Sequence, residues 1–178
     1  MKIKINGVEV RQDLLEEEVE VKFENLNEEV QKNVFLSDIE RFFVSAITSQ
    51  FETVANLAIS NIEKCSKQLI NEAVLELNNN GYDMKYMDRV LKILEIADEE
   101  ISYETLDVLA FSRYWSIRDW IAWKSKVLPT TIRKMFVEVI NKPCEDEEEL
   151  KHLNHIVKNP NFKFNMELAN SLNYQKRD

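Results

Sequence analysis

The sequence predicts a mainly α-helical protein of stacked helix pairs, preceded by a small N-terminal antiparallel β-hairpin or three-stranded element. Three observations lead there. Apolar residues recur at helical spacing from about residue 27 onward, whereas the first 25 residues alternate apolar and polar side chains. Only two glycines, Gly7 and Gly81, occur in 178 residues, which argues against most α/β nucleotide-binding enzymes. We therefore expect a β-element at residues 1–25, packed on a helical domain at residues 26–178.

The β-element is predicted from two alternating runs around Asn6-Gly7. Asn-Gly between such runs is typical of a tight hairpin, because a type I′ turn needs positive φ at both positions. In that register Ile5 faces Val8 and Ile3 faces Val10. A third alternating run covers residues 19–24. We expect an exposed edge, at residues 3–5 or 19–23, that could pair with a strand of a partner or of a second copy.

The helices are predicted from residues that favour helix ends. A serine three residues before an acidic side chain is typical of an N-terminal capping box, and proline is tolerated in the first turn. The predicted helix starts are Ser37 with Glu40, Ser66, Asp83, Ser102, Ser116 with Asp119, and Pro129. A later helix is expected to bury Leu150, Leu153 and Val157, and a last one to contain Leu168, Ala169 and Leu172.

Three stretches align without gaps and suggest an internal repeat. In each, a helix end precedes an aromatic residue by five positions, and an apolar-Ala pair follows that aromatic residue by six and seven. The aromatic residues are Phe51, Trp115 and Phe162, so the offsets are 64 and 47. Such a unit buries one face only when it stacks on a neighbour. The unequal offsets predict a degenerate array rather than a regular solenoid.

The best preserved stretch runs from residue 109 to residue 122. It places Trp115 before an Ile117-Arg118 pair, then an Ile121-Ala122 pair, then Pro129. This arrangement resembles HEAT-like or variant leucine-rich-repeat helical units, best over residues 102–172. The resemblance implies an all-helical scaffold that binds proteins or nucleic acid, and it implies no catalytic residues.

Composition argues against several classes of enzyme. Phosphate-binding loops, the dinucleotide fingerprint and the GxSxG nucleophile elbow need more closely spaced glycines than this chain has. Only two histidines occur, so few acid–base or nucleophilic pairings can form. We therefore expect no enzymatic activity and no cofactor. The formal net charge of −9 disfavours general affinity for nucleic acid.

Location is inferred from further absences in the sequence. Cys65 and Cys144 lack a CxxC spacing, which favours reduced thiols. The sequence shows neither a signal peptide nor an apolar run of about 20 residues. We therefore expect a cytoplasmic protein that does not span a membrane.

One segment departs from the acidic average. Residues 111–134 carry six basic side chains against the single acid Asp119, together with three tryptophans. Trp and Arg are enriched at binding hot spots. Helical spacing predicts that Trp120 is buried and that Trp123 is exposed. Trp115 is also expected to be buried, because it is the corner aromatic residue of the repeat. The candidate partner-binding residues are Arg113, Tyr114, Arg118, Trp123, Lys124 and Lys126.

Glu148, His152 and His155 have a spacing that could serve a metal ion, and we expect no metal site there. Their spacing would place them on one helix face, opposite the apolar stripe, with Cys144 a further turn away. We expect that face to be solvated and to bind no metal, because nothing in the sequence supplies supporting ligands.

The function expected from the sequence is that of a non-catalytic interaction module. It would act as an adaptor or inhibitor, in the manner of immunity proteins or inhibitors encoded by mobile elements, by binding another protein through a helical face. The alternative is a nucleic-acid-binding helical-repeat protein that uses residues 111–134. Homo-oligomerisation stays open, as does the choice between the acidic surface and the basic-aromatic segment as binding face.

Overall fold

The fold is mainly α-helical, as the sequence predicts. The structure, a computed structural model, describes residues 2–5, 8–10, 18–80, 83–124, 126–141 and 147–164. The chain divides into two compact units, residues 1–77 and residues 78–178, which we call the first and second units. The expected boundary after residue 25 falls inside the first unit and stays a prediction. None of the described helices combines the length and apolar composition that a membrane crossing requires.

Three short strands lie at the start of the first unit: β1 (Lys2–Ile5), β2 (Val8–Val10) and β3 (Glu18–Val21). β1 pairs antiparallel with β2, with Ile3 opposite Val10 and Ile5 opposite Val8. The Asn6-Gly7 turn lies outside the described residues, so its type stays a prediction. The docking of the strands on the helices also stays a prediction.

Two expectations about the strands are wrong. β3 runs parallel to β1, so a three-stranded element is not antiparallel throughout, and the strand order is β2-β1-β3. β1 is therefore the central strand and offers no free edge at residues 3–5. β3 also ends at Val21, because Phe23–Asn25 forms a 3-10 helix. Alternation of side chains reports which faces a strand presents and not its direction, which is why the sequence did not reveal this.

The first unit continues with four α-helices, of which the first two begin after polar caps. Asn27 accepts from the N–H of Val30 at 3.0 Å, and Asp38 accepts from that of Arg41 at 3.3 Å. The expected cap Ser37 is instead the last residue of the preceding helix, where its hydroxyl donates to the Val34 carbonyl. Asp38 displaces it because a cap needs extended rather than helical backbone. The helices are α1 (Glu28–Ser37), α2 (Ile39–Ile47), α3 (Glu52–Ile59) and α4 (Lys67–Asn79), whose last two residues belong to the second unit.

The core of the first unit is built from aromatic and small side chains. Phe23 stacks on Phe42 with ring centroids 5.7 Å apart. Phe35, Phe43 and Ala46 are fully enclosed. Small residues in α2 and α3 let the two helices approach while the rings fill the remaining space.

The second unit begins with helix caps that the sequence predicted correctly. Asp83 accepts from the N–H of Lys85 at 3.0 Å, Ser102 accepts from that of Thr105 at 3.1 Å, and Pro129 is the first residue of its helix. Ser116 is not a cap, because helix α7 begins one residue earlier with Tyr114 in the cap position. The helices are α5 (Met84–Ile96), α6 (Tyr103–Leu109), α7 (Trp115–Trp123), α8 (Pro129–Ile140) and α9 (Glu147–Lys158). The expected last helix at 168–172 lies outside the described residues.

Three helix ends share one hydrogen-bonded corner. At each, a buried polar residue donates its backbone N–H to the carbonyl three residues earlier, at 3.0–3.2 Å. Its side-chain oxygen accepts from the N–H two residues later, at 2.9–3.2 Å. This turn stops the helix and holds the next segment in an extended conformation. The corner residues are Ser49, Ser112 and Asn159.

Each corner residue also bonds to a polar group distant in sequence. Ser49 donates to the side-chain oxygen of Gln31, and Ser112 donates to that of Asn78, both at 2.6 Å. Asn159 donates to the backbone carbonyls of Ala122 at 2.8 Å and Lys124 at 2.7 Å. Each corner is therefore tied to an earlier helix end or helix by a buried hydrogen bond.

The corners correct the repeat alignment by one residue. Phe51 and Tyr114 both precede a helix with nearly identical backbone angles, φ −87° and ψ 116° against φ −86° and ψ 116°. The first offset is therefore 63 and not 64, whereas the second offset, 47 from Ser112 to Asn159, agrees with the sequence alignment. Trp115 was aligned because of its ring, although Tyr114 holds the equivalent position.

Candidate functional site

Trp123 is the exposed tryptophan that the sequence predicted. It ends α7 with 62% of its surface exposed. Its ring meets the imidazole of His155 edge-on, with centroids 4.9 Å apart and planes at 70°. An edge-to-face contact restricts the ring without covering it. Trp123 is therefore a large apolar surface held in a defined orientation.

Trp115 and Trp120 are half-buried, whereas the sequence predicts that both are buried. The guanidinium of Arg118 lies 4.7 Å from the ring centroid of Trp115, and the ammonium of Lys124 lies 4.2 Å from that of Trp120. Cations favour the electron-rich face of an indole. Basic side chains thus cover part of each ring where core residues were expected.

Tyr114 belongs to the interior. Its ring is 6% exposed, and its hydroxyl donates to the backbone carbonyl of Asp83 at 3.3 Å. Arg113 beside it is exposed and donates to the carbonyl of Asn79 at 3.5 Å. Of this adjacent pair of candidate binding residues, only Arg113 lies at the surface.

The basic candidates Lys124 and Arg118 have acidic partners within the second unit, and Lys126 bonds to backbone carbonyls there. Lys124 forms an ion pair with Asp98 at 3.0 Å, and Lys126 donates to the carbonyls of Asp98 and Glu99 at 3.0 and 3.1 Å. Arg118 lies 3.8 Å from the carboxylate of Glu138. These partners reduce the positive field that residues 111–134 suggest in isolation.

Helix α9 presents a different face to the protein from the one expected. Leu150 and Val157 are 58% and 49% exposed, whereas His152 is 2% and Ile156 is 0% exposed. The expectation that the histidine face is solvated is therefore wrong. This face is buried because Asn159 donates hydrogen bonds to main-chain carbonyls at the end of α7. The Asp119 carboxylate also forms hydrogen bonds with both imidazoles. Hydrogen bonds available on that side outweigh the apolar stripe.

One oxygen of Asp119 joins both histidines. It lies 2.6 Å from Nδ1 of His155 and 3.4 Å from Nδ1 of His152. The His152 ring also packs on Trp115, with centroids 4.6 Å apart. Burial lowers the pKa of His152 below its usual 6.5, opposed by Asp119 and assisted by the charges of Arg118 and His155. We call Asp119, His152 and His155 the histidine–carboxylate cluster.

The sequence offered one weak signal for this cluster. Asp119 is the single acidic residue among the six basic ones of residues 111–134, although its spacing from Ser116 predicts a helix cap instead. Among the residues the structure describes, no group of three potential ligands is arranged to hold a metal ion. Cys144 and the side chain of Glu148 lie outside that part of the chain.

Comparison with known proteins finds no matching family model, no similar curated protein and no similar solved structure.

Proposed function

We propose that this protein is a non-catalytic interaction module, an adaptor or inhibitor, that binds a partner protein through a surface centred on Trp123. The observation that carries the proposal is a tryptophan 62% exposed yet held in place by His155. A ring oriented before binding loses little conformational freedom on association, and tryptophan is the residue most enriched at hot spots. Arg113, Arg118, Lys124 and Lys126 are the proposed polar neighbours.

The scaffold proposed for this module is a HEAT-like array of helix pairs. The corners at Ser49, Ser112 and Asn159 support it, because one hydrogen-bond arrangement ends three helices. A reduced, cytoplasmic setting is part of the proposal, and the thiol of Cys65, which forms no disulfide, agrees with it.

The histidine–carboxylate cluster supports a structural use better than a catalytic one. A general base must reach the proton that it abstracts. Both Nδ1 atoms face Asp119, and His152 is almost fully buried between α7 and α9. We therefore propose no enzymatic activity for this cluster.

Nucleic-acid binding through residues 111–134 remains the second proposal and is less well supported. Lys124, Lys126 and Arg118 each have a partner within the chain. Binding phosphates would require these contacts to be exchanged, at a cost that an uncommitted basic patch does not have.

A matched pair of variants tests the Trp123 surface. Trp123→Ala removes the proposed anchor, whereas Ile96→Ala removes a residue that is 60% exposed on α5 of the same unit. In affinity capture from the source organism, followed by binding measurements with the purified partner, we expect Trp123→Ala to weaken binding about 30-fold or more. Ile96→Ala should bind like the unaltered protein.

Two results would contradict the proposal. Equal partner affinity for Trp123→Ala and Ile96→Ala would show that Trp123 is not the anchor. Salt-sensitive binding to DNA or RNA that is lost on reversing the charges of Arg118 and Lys124 would favour the second proposal.

A further inference from the structure

The two histidines of this chain meet at one carboxylate. The sequence has two histidines, and both bring Nδ1 to the same oxygen of Asp119. Histidine is the side chain whose ordinary pKa lies between 5 and 8. The pKa of the Cys65 thiol is raised to about 11 and stays outside that range. Among the described residues, we therefore expect a pH change between 7.5 and 5.5 to act mainly where α9 meets α7.

The charges around the two imidazoles favour the addition of one proton to the cluster over the addition of two. A single carboxylate can balance the charge of one imidazolium. Arg118 on α7 and His152 both contact the Trp115 ring, and the charge of Arg118 disfavours a proton on His152. Glu138 on α8 is the partner of Arg118, at 3.8 Å. A proton on His152 would therefore add a buried cation beside an existing guanidinium.

The same cluster holds the two helices together. His152 packs on Trp115 near the start of α7, His155 packs on Trp123 at its end, and Asp119 bonds to both imidazoles between them. Losing one ring contact would weaken the others, because all three groups lie on the same two helices.

We propose that Asp119, His152 and His155 form an acid-sensitive junction. With His152 neutral, the junction holds α9 against α7, and protonation of His152 loosens this contact and frees the Trp123 ring from His155. The inference concerns the chain alone and requires no partner, although it would make any binding at Trp123 dependent on pH. Below pH 6.5 the opening equilibrium should rise by up to about tenfold per pH unit, the limit for uptake of one proton.

Two measurements on the full chain test the junction. NMR titration follows the ring protons of the two histidines, and we expect the His152 ring to titrate below pH 6.5. Hydrogen exchange, corrected for the intrinsic pH dependence of exchange, should show opening of α9 rising by up to about fivefold between pH 6.5 and 5.5. His152→Phe keeps an aromatic ring beside Trp115 and cannot take up a proton, so its α9 opening should be constant over that range.

His155→Gln is the matched control, because it removes the other imidazole and keeps His152. Its α9 amides should still open more at acid pH. The proposal is overturned if His152→Phe retains the acid-induced opening, or if the His152 ring titrates at or above pH 6.5. Should His152→Phe fail to fold, the NMR titration of the unaltered chain alone decides, and neither result depends on whether Trp123 binds a partner.

Discussion

The first and second units use the same corner but fill the space around it differently. Ser49 bonds to Gln31 in the first unit and Ser112 bonds to Asn78 in the second, at the same 2.6 Å. The first unit then packs phenylalanine rings such as Phe43. The second unit instead places Asp119 and two histidines between α7 and α9. The corner thus sets where a helix ends, whereas other residues decide what the helices bury.

The third corner should be the most sensitive to substitution. Asn159→Ala removes hydrogen bonds to the carbonyls of Ala122 and Lys124 and to the N–H of Asn161. Buried polar groups left without partners are costly, so we expect the second unit to lose about 3 kcal/mol of unfolding free energy. Urea unfolding followed by tryptophan fluorescence reports on this unit, because all three tryptophans lie in it. A loss below about 1 kcal/mol would mean that the corner contributes little.

The two serine corners should respond alike. Ser49→Ala and Ser112→Ala each remove two hydrogen bonds. One is donated to the amide oxygen of Gln31 or Asn78, and the other is accepted from the backbone N–H of Phe51 or Tyr114. We expect each to lower the unfolding free energy of its own unit by about 1–2 kcal/mol. Hydrogen exchange of the flanking helices measures both losses separately. If only one of the two losses is measurable, the two corners share a geometry but contribute differently to stability.

Acid should affect the second unit before the first. The folded state lowers the pKa of His152, so the unfolded chain binds the proton more readily and stability falls as pH drops below 6.5. In the first unit, hydrogen bonds from Lys32 and Thr53 lower the pKa of Glu28, and that contribution is lost only as pH falls below 4.5. Between pH 6.5 and 5.5 we expect the second unit to lose at most about 1 kcal/mol and the first almost nothing. Hydrogen-exchange rates of α2 and α7 amides measure the loss of stability in the first and second units. An equal loss in both units would be inconsistent with a histidine origin.

The smallest effects separate a real helix cap from a false one. Ser102→Ala removes the oxygen that accepts from the Thr105 N–H, so we expect a loss of about 1 kcal/mol. Ser116→Ala alters an exposed residue inside α7 and should change stability by less than about 0.5 kcal/mol. Thermal unfolding of the two variants side by side measures the difference. Equal losses would contradict the observed start of α7.

Caps were predictable where a single residue decides them. Asp83, Ser102 and Pro129 begin helices as expected, since their chemistry suits that position in most surroundings. Ser37 and Ser116 failed because a neighbour took the cap position. A one-residue choice of this kind depends on how the following helix packs.

The candidate site was only partly predictable. The exposure of Trp123 followed from helical spacing within α7. The burial of Tyr114 and the pairing of Lys124 with Asp98 did not, because both depend on segments distant in the chain. The orientation of α9 was predicted wrongly, since its apolar stripe competed with hydrogen bonds supplied by α7.

By itself, the sequence determined the helical class, most helix starts and the exposed tryptophan, because these depend on local periodicity and on the backbone preferences of single residues. Only the tertiary structure decided the direction of β3, the face that α9 buries and the meeting of His152 and His155 at Asp119. Those outcomes follow from which distant groups can satisfy one another's hydrogen bonds and charges, and that is a property of the packed chain rather than of any one segment.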